Sequence, residues 1–220
     1  MQEFATQNYL KTIFSLCLSG QGPIKCGDIA KRLNISAAAV TDMVKKLSRD
    51  ELLHYQPYKG ISLTPKGEQI GKKMIRHHRL WETFLYQELG LEWDKVHEEA
   101  ERLEHASSDY LIQRIEEKLQ FPRFDPHGNP IPDRKGRIPK IKHEIPLSDV
   151  KLNHPYKIVR FESFDSEFLS YLSEMGVRIA AKIQVLDRLS FDQSLRCQIN
   201  NTPLNLSAQS SQNIYVIPET

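Results

Sequence analysis

The chain is predicted to be mainly α with a small β domain: an N-terminal winged helix-turn-helix, a second helical domain, and a C-terminal β-rich module. Its texture along the sequence predicts this. Apolar residues recur at helical spacing from residue 3 to about 120, with one short interruption. Pro122, Pro126, Gly128, Pro130, Pro132, Gly136, Pro139 and Pro146 then crowd residues 121–146, which marks a loop or linker. From about residue 147 the pattern changes to short β-type runs, Tyr156 to Phe161, Lys182 to Leu186 and Ile214 to Ile217, separated by polar turns. One helix, around Ser166 to Met175 and closed by Gly176, lies between the first two runs.

The opening helix carries Tyr9, Ile13, Phe14, Leu16 and Cys17 along one face. Lys25 to Ser36 reads as a short helix ending in a turn, with Ser36 placed to cap its successor. The successor, Ser36 to Leu47, turns Val40, Val44 and Leu47 inward and small or hydroxyl-bearing residues outward, which is the pattern of a helix-turn-helix. Leu52 to Tyr55 and Ile61 to Leu63 flank Gln56-Pro57-Tyr58-Lys59-Gly60, a two-stranded ribbon with a basic tip. Thr64-Pro65 then starts a further helix with a capping residue and a proline at its first position. Helix-turn-helix plus ribbon makes a winged helix. Such units also serve as protein-interaction modules, but Lys25, Lys31, Arg32, Lys45, Lys46, Arg49, Lys59, Lys66, Lys72 and Lys73 gather in the first third and favour DNA phosphate.

With 220 residues, 40% hydrophobic and 26% charged, the chain has room for one large or two small cores. No apolar run approaches the roughly 18 residues a membrane span needs, and no signal peptide opens the chain, so a cytoplasmic protein without a membrane partner is expected. Cys17, Cys26 and Cys197 are widely spaced and odd in number, which argues against a disulfide framework or a thiolate zinc site and for small core residues.

The helical domain carries a concentration of metal-binding side-chain types. At about 100° per residue, His97, Glu101, Glu104 and His105 fall in one quadrant of a helix, and His78 and Glu82 are i, i+4 neighbours on the helix before it. Side chains of this kind stacked on one face stay solvated, or converge on a divalent cation or on basic partners.

Asp28 to Leu33, the Ser36 to Leu47 helix, His78 to Glu82, His97 to His105 and Gly128-Asn129-Pro130-Ile131-Pro132 together resemble the diphtheria toxin repressor family of metal-dependent transcriptional regulators. The resemblance runs through nearly the whole chain. It implies a winged helix-turn-helix DNA-binding domain over 1–66, a helical metal-binding and dimerisation domain over 67–121, a Pro-rich linker over 122–146 and a small Src-homology-type, FeoA-like β-barrel over 147–220. It also implies a homodimer that binds a palindromic operator in double-stranded DNA when Mn(II) or Fe(II) is present and shuts off metal uptake genes.

By the same resemblance Glu101, Glu104 and His105 belong to the primary metal site, with His78 contributing as in manganese-type members. Iron-type members carry Cys where this chain has Glu101, so the hard carboxylate favours Mn(II), with Fe(II) next. Asn8 stands where manganese-type members have Asp, and still offers a carbonyl oxygen. Lys11 stands where some members have a second Glu; it disfavours a two-ion cluster and is placed to pair with a carboxylate. Asp125 and His127 fall where streptococcal-type members place ligands of a second site, which Glu82 would complete with Glu162 or Asp165, and His97 could join His78 and Glu82 as in iron-type members. Two metal sites per subunit are therefore conceivable.

For DNA, Lys45, Lys46, Arg49 and Lys59 would neutralise phosphates, and Ser36, Ala37, Ala38 and Thr41 would meet base edges and thymine methyls. Leu80, Trp81, Phe84, Leu85, Leu89, Trp93, Val96, Leu103, Tyr110, Leu111 and Ile115 offer more apolar bulk than one thin helical layer can bury, leaving a share for a dimer interface. The alternatives are a winged-helix regulator gated by an organic ligand or by nothing, and, more remotely, a metalloenzyme. Against the enzyme, the chain has no nucleophile motif, no H-E-x-x-H and no phosphate loop, and no organic substrate is expected.

Overall fold

A computed structural model describes residues 2–20, 22–57, 59–162 and 166–219. The chain forms two compact units, one of Met1–His78 with Glu104–Ser107 and Pro132–Arg137, the other of Arg79–Leu103 with Ser108–Ile131 and Ile138–Thr220.

In the first unit α1 (Gln2–Leu18) is followed by α2 (Cys26–Leu33) and α3 (Ala37–Arg49). Asn34 stops α2 in the left-handed region (φ 52°), and Ser36 caps α3 by accepting a hydrogen bond from the Ala39 amide at 3.2 Å. Val40, Val44 and Leu47 have no exposed surface and join Leu10, Ile13, Ile29 and Leu53 in one core. Burial of that kind contributes about 1.5 to 3 kcal/mol per side chain. The wing is β1 (Leu53–Gln56) paired antiparallel with β2 (Gly60–Leu63), Leu53 opposite Leu63. Thr64 caps α4 (Pro65–Gln87): its hydroxyl accepts from the Gly67 amide and donates to the Glu51 carbonyl. Cys17 is exposed, Cys26 half-buried and Cys197 buried, which corrects the expectation of three core cysteines. The last turn of α1 overruns the core, leaving both Cys17 and Leu18 at the surface.

The second unit continues along α4 into α5 (Val96–Leu103) and α6 (Asp109–Lys118). Leu80 packs with Ile112, Ile115, Leu119 and Ile131, and Leu85 with Val96 and Ala100. The Pro-rich stretch is irregular but closely fitted. Asp125 Oδ1 accepts from the His127 and Asn129 amides, and a Cβ on Gly128 (φ 82°) would lie 2.0 Å from the Val159 carbonyl oxygen.

The C-terminal sheet contains β3 (Ile145–Pro146), β4 (Pro155–Phe161), β5 (Lys182–Arg188), β6 (Leu195–Ile199), β7 (Thr202–Leu206) and β8 (Ile214–Pro218) in the order β3-β8-β4-β5-β6-β7. The helix α7 (Ser166–Glu174) follows β4, and α8 (Ala208–Gln212) precedes β8. Phe161, Leu169, Leu172, Val185 and Val216 are fully buried in its core. The strands β6 and β7 go beyond the runs anticipated from sequence; Asn200 and Asn201, both at positive φ, make the tight turn between them. Among the described residues no helix is long and apolar enough to cross a membrane.

Candidate metal centres and nucleic-acid interface

In the first unit, glycine lets two helices meet closely. A Cβ on Gly71 of α4 would lie 2.7 Å from the Leu10 carbonyl oxygen and 2.8 Å from Phe14 Cβ, so only a residue without a side chain lets α1 approach this far. Glu104 is the centre of the cluster that results, its side chain fully buried. His78 Nδ1 lies 2.7 Å from Glu104 Oε2, and Lys11 Nζ donates to Oε1 at 2.6 Å. His105 places Nε2 3.2 Å from Oε1, donates from Nδ1 to Gln7 Oε1 at 2.7 Å, and stacks on Phe4. Gln7, Asn8 and Lys11 share one face of α1. Asn8 Oδ1 is buried and has no hydrogen-bond partner among the described residues.

This arrangement corrects one reading. Glu104 and His105 do not continue the helical face of His97 and Glu101, because α5 ends at Leu103 and both lie in the turn beyond it. The chain must leave the helix there: Ser108 caps α6 through its bond from the Leu111 amide, and the Glu104 carbonyl accepts from His77 instead of from a next helical turn. The donor set is nevertheless of the kind that suits a divalent ion, with two imidazoles, a buried carboxylate and an orphaned amide oxygen.

The second unit holds a separate cluster. One ligand atom each from Glu82, Asp125 and His127, all buried, lies within 4.8 Å of the others. His127 Nε2 donates to the Trp93 carbonyl at 2.7 Å; a carbonyl only accepts, so this nitrogen carries its hydrogen and Nδ1 faces Glu82 at 3.8 Å. An imidazole held this way by a backbone carbonyl presents its other nitrogen as a ligand. His97 adjoins the group, with Nδ1 3.0 Å from Glu82 Oε1 and Nε2 3.7 Å from Glu101 Oε1.

Burial works against a charged His127, but the neighbouring Glu82 carboxylate, with Asp125 and the Trp93 carbonyl, outweighs it and pushes its pKa up to about 9. Burial and then the Glu82 charge raise Asp125 to about 6, against the opposing pull of His127 and Arg79. Glu162 meets Arg160 at 3.2 Å and is not among the mutually close Glu82, Asp125 and His127 atoms. Asp165 lies outside the described residues.

Sequence reasoning gave no role to three groups that shape these clusters. Gln7 orients His105, the Trp93 carbonyl orients His127, and buried Arg79 places Nε 3.6 Å from Asp125 Oδ2 while donating to the Pro130 carbonyl. Arg79 had a signal, a guanidinium following His77 and His78 and three residues before Glu82. A backbone carbonyl leaves no trace in a sequence.

On the winged helix, Ser36, Ala37 and Ala38 at the start of α3 are exposed, as are Lys45, Arg49 and, on the wing tip, Lys59; Thr41 and Lys46 are half-buried. Thr41 spends its hydroxyl hydrogen on the Ala37 carbonyl at 2.8 Å, leaving its methyl as the group available for apolar contact. Asp42, Lys45, Ser48, Arg49 and Tyr55 line an open hollow of about 580 Å³ between α3 and β1.

Family models described as the iron dependent repressor N-terminal DNA binding domain, the iron dependent repressor metal binding and dimerisation domain, and the FeoA domain match residues 4–61, 64–133 and 145–218. Fold and site thus define a metal-dependent, DNA-binding transcriptional repressor with a C-terminal FeoA-type, Src-homology-like β domain, and not an enzyme. The diphtheria toxin repressor of Corynebacterium efficiens is 32% identical over 191 residues, 83% of each chain. The transcriptional regulator MntR of Bacillus pumilus is 38% identical over 115 residues, covering 52% of this chain and 78% of its own. A solved structure of a manganese-dependent transcriptional repressor in complex with manganese superposes with a TM-score of 0.87 at 32% identity, covering 97% of this chain and 100% of that one. The chain belongs to the diphtheria toxin repressor family.

Proposed function

We propose that the protein is a manganese-responsive repressor of metal-uptake genes, acting in the cytoplasm as a homodimer on a palindromic operator, with Fe(II) as the next candidate corepressor. The observation that carries this reading is the Glu104 cluster. A fully buried carboxylate between two imidazoles, with a buried amide oxygen on α1 that has no hydrogen-bond partner among the described residues, is a donor set suited to a divalent ion. Oxygen and imidazole donors with no thiolate suit Mn(II), and the solved relative in complex with manganese supports that choice. His78, Glu104, His105 and Asn8 would hold the first ion; Glu82, Asp125 and His127, with His97 and Glu101 beside them, would hold a second. The organisation proposed is DNA-binding over 1–66, metal-binding and dimerisation over 67–121, linker over 122–146 and β-barrel over 147–220.

A bound divalent ion would supply two positive charges to the buried carboxylate. The rest is done by the chain. Asn8 and Gln7 belong to α1, whose Leu10 and Ile13 lie in the same core as α3, so fixing α1 against His78 and Glu104 fixes the attitude of the reading helix. Population shift of this kind needs about 1 to 3 kcal/mol of coupling. A dimer whose reading helices stand about 34 Å apart would then fit successive major grooves. Tyr86, Leu89, Tyr110 and Leu111 remain exposed in the second unit and are the proposed apolar dimer surface.

Operator retention by the full chain, measured with Mn(II), with anaerobic Fe(II), with Zn(II) and with chelator, tests the reading. Retention should depend on Mn(II), and Glu104→Ala or Glu101→Ala should abolish the metal response while leaving weak, salt-sensitive DNA binding. Equal retention in chelator and in Mn(II) would rule the mechanism out.

A further inference from the structure

We infer that Lys11 is a tethered cation that competes with the metal for Glu104, and so sets the affinity of the first cluster and limits it to a single ion. The inference rests on reading His78, Glu104 and His105 as a metal centre. Lys11 Nζ lies 2.6 Å from Glu104 Oε1, and the two side chains are 13% and 0% exposed, so the contact is shielded from solvent screening. Its stem cannot drift far, because α1 is seated on α4 at Gly71. Both carboxylate oxygens are engaged, Oε2 by His78 at 2.7 Å and Oε1 by Lys11 at 2.6 Å, and His105 Nε2 lies 3.2 Å from Oε1. With both imidazoles neutral, the ammonium cancels the charge of Glu104. An incoming divalent ion therefore meets a Glu104 carboxylate whose charge is already balanced and a positive neighbour within a few ångströms, and must displace that neighbour from the oxygen it needs. A second ion would meet the same repulsion. The lysine thereby keeps the metal-free cluster balanced and raises the metal concentration at which it fills.

The test uses the full chain stripped with chelator and titrated with Mn(II) by calorimetry, with bound metal counted by elemental analysis. The step absent from His78→Ala identifies the first cluster. Lys11→Met keeps most of the stem and removes the charge; Lys11→Arg keeps the charge. Lys11→Met should bind that ion roughly tenfold more tightly, and Lys11→Arg should stay close to wild type. An unchanged or weakened affinity in Lys11→Met overturns the inference while leaving the metal centre standing. If instead His78→Ala removes no binding step from the wild type, the metal centre itself fails, and the role of Lys11 with it. Should Lys11→Met lose its fold in chelator, the comparison is read from the manganese concentration that restores its melting transition. That concentration lies below the one saturating the wild type if Lys11 competes, and at or above it if Lys11 does not.

Discussion

His127 shows how far one side chain can be specified by its surroundings. Its Nε2 is committed to the Trp93 carbonyl, its own amide donates to Asp125 Oδ1, and its carbonyl accepts from the Phe161 amide, so Nδ1 has one direction to face. Its pKa of about 9 in the folded chain lies above the ordinary 6.5, so the stability this proton gives is complete below pH 6.5 and is lost as pH rises through 9. Asp125, raised from 3.8 to about 6, likewise favours the protonated folded state and loses that contribution between those values. The metal-free protein is therefore expected to melt at lower temperature as pH is raised from 6.5 to 9, and the fall should be smaller in His127→Gln. Thermal scans in chelator across that range measure it, and a melting temperature that climbs steadily with pH would contradict the assignment. Since a metal needs the unprotonated nitrogen, manganese affinity at this cluster should rise over the same interval.

Helix contacts decide what these side chains reach. Gly71→Ala would put a methyl group 2.7 Å from the Leu10 carbonyl oxygen, and the backbone must shift to admit it. Overpacking of this kind costs about 1 to 3 kcal/mol, more than the roughly 1 kcal/mol that alanine gains over glycine in a helix. The variant should melt several degrees lower in chelator and bind Mn(II) more weakly, because the α1 face carrying Asn8 is pushed away; a higher melting temperature would refute this. Much of the first unit was legible beforehand. The inward Val40, Val44 and Leu47 and the Ser36 and Thr64 caps follow from spacing, and the pairing of Lys11 with a carboxylate from the resemblance. The end of α5 at Leu103 did not, because the periodicity of His97 to His105 runs on past Leu103. Nor does spacing bring Asp125 and His127 to Glu82; only resemblance suggested it, since loops place residues by contacts that no period records.

For the molecule as a whole, the proposed function depends on two copies. Tyr110 is 73% and Leu89 58% exposed on the second unit, more apolar surface than a soluble monomer has reason to display there. Tyr110→Glu with Leu89→Glu should halve the mass measured by sedimentation and abolish operator retention at concentrations where wild type binds, with the circular dichroism unchanged; an unaltered mass would place the interface elsewhere. The indole of Trp93 has a consequence of its own. Its ring lies 5.6 Å from those of both His127 and Phe161, its N–H bonds Ser173 Oγ, and Ser170 donates to the neighbouring Asp94. The last third of the chain is thus keyed to the helical arm like a wedge in a joint. Cutting it away near residue 144 would strip the indole of its cover and take from His127 the strand amide that steadies it, so the shortened protein would be a damaged regulator with a newly sticky side, and not a minimal version of the same device.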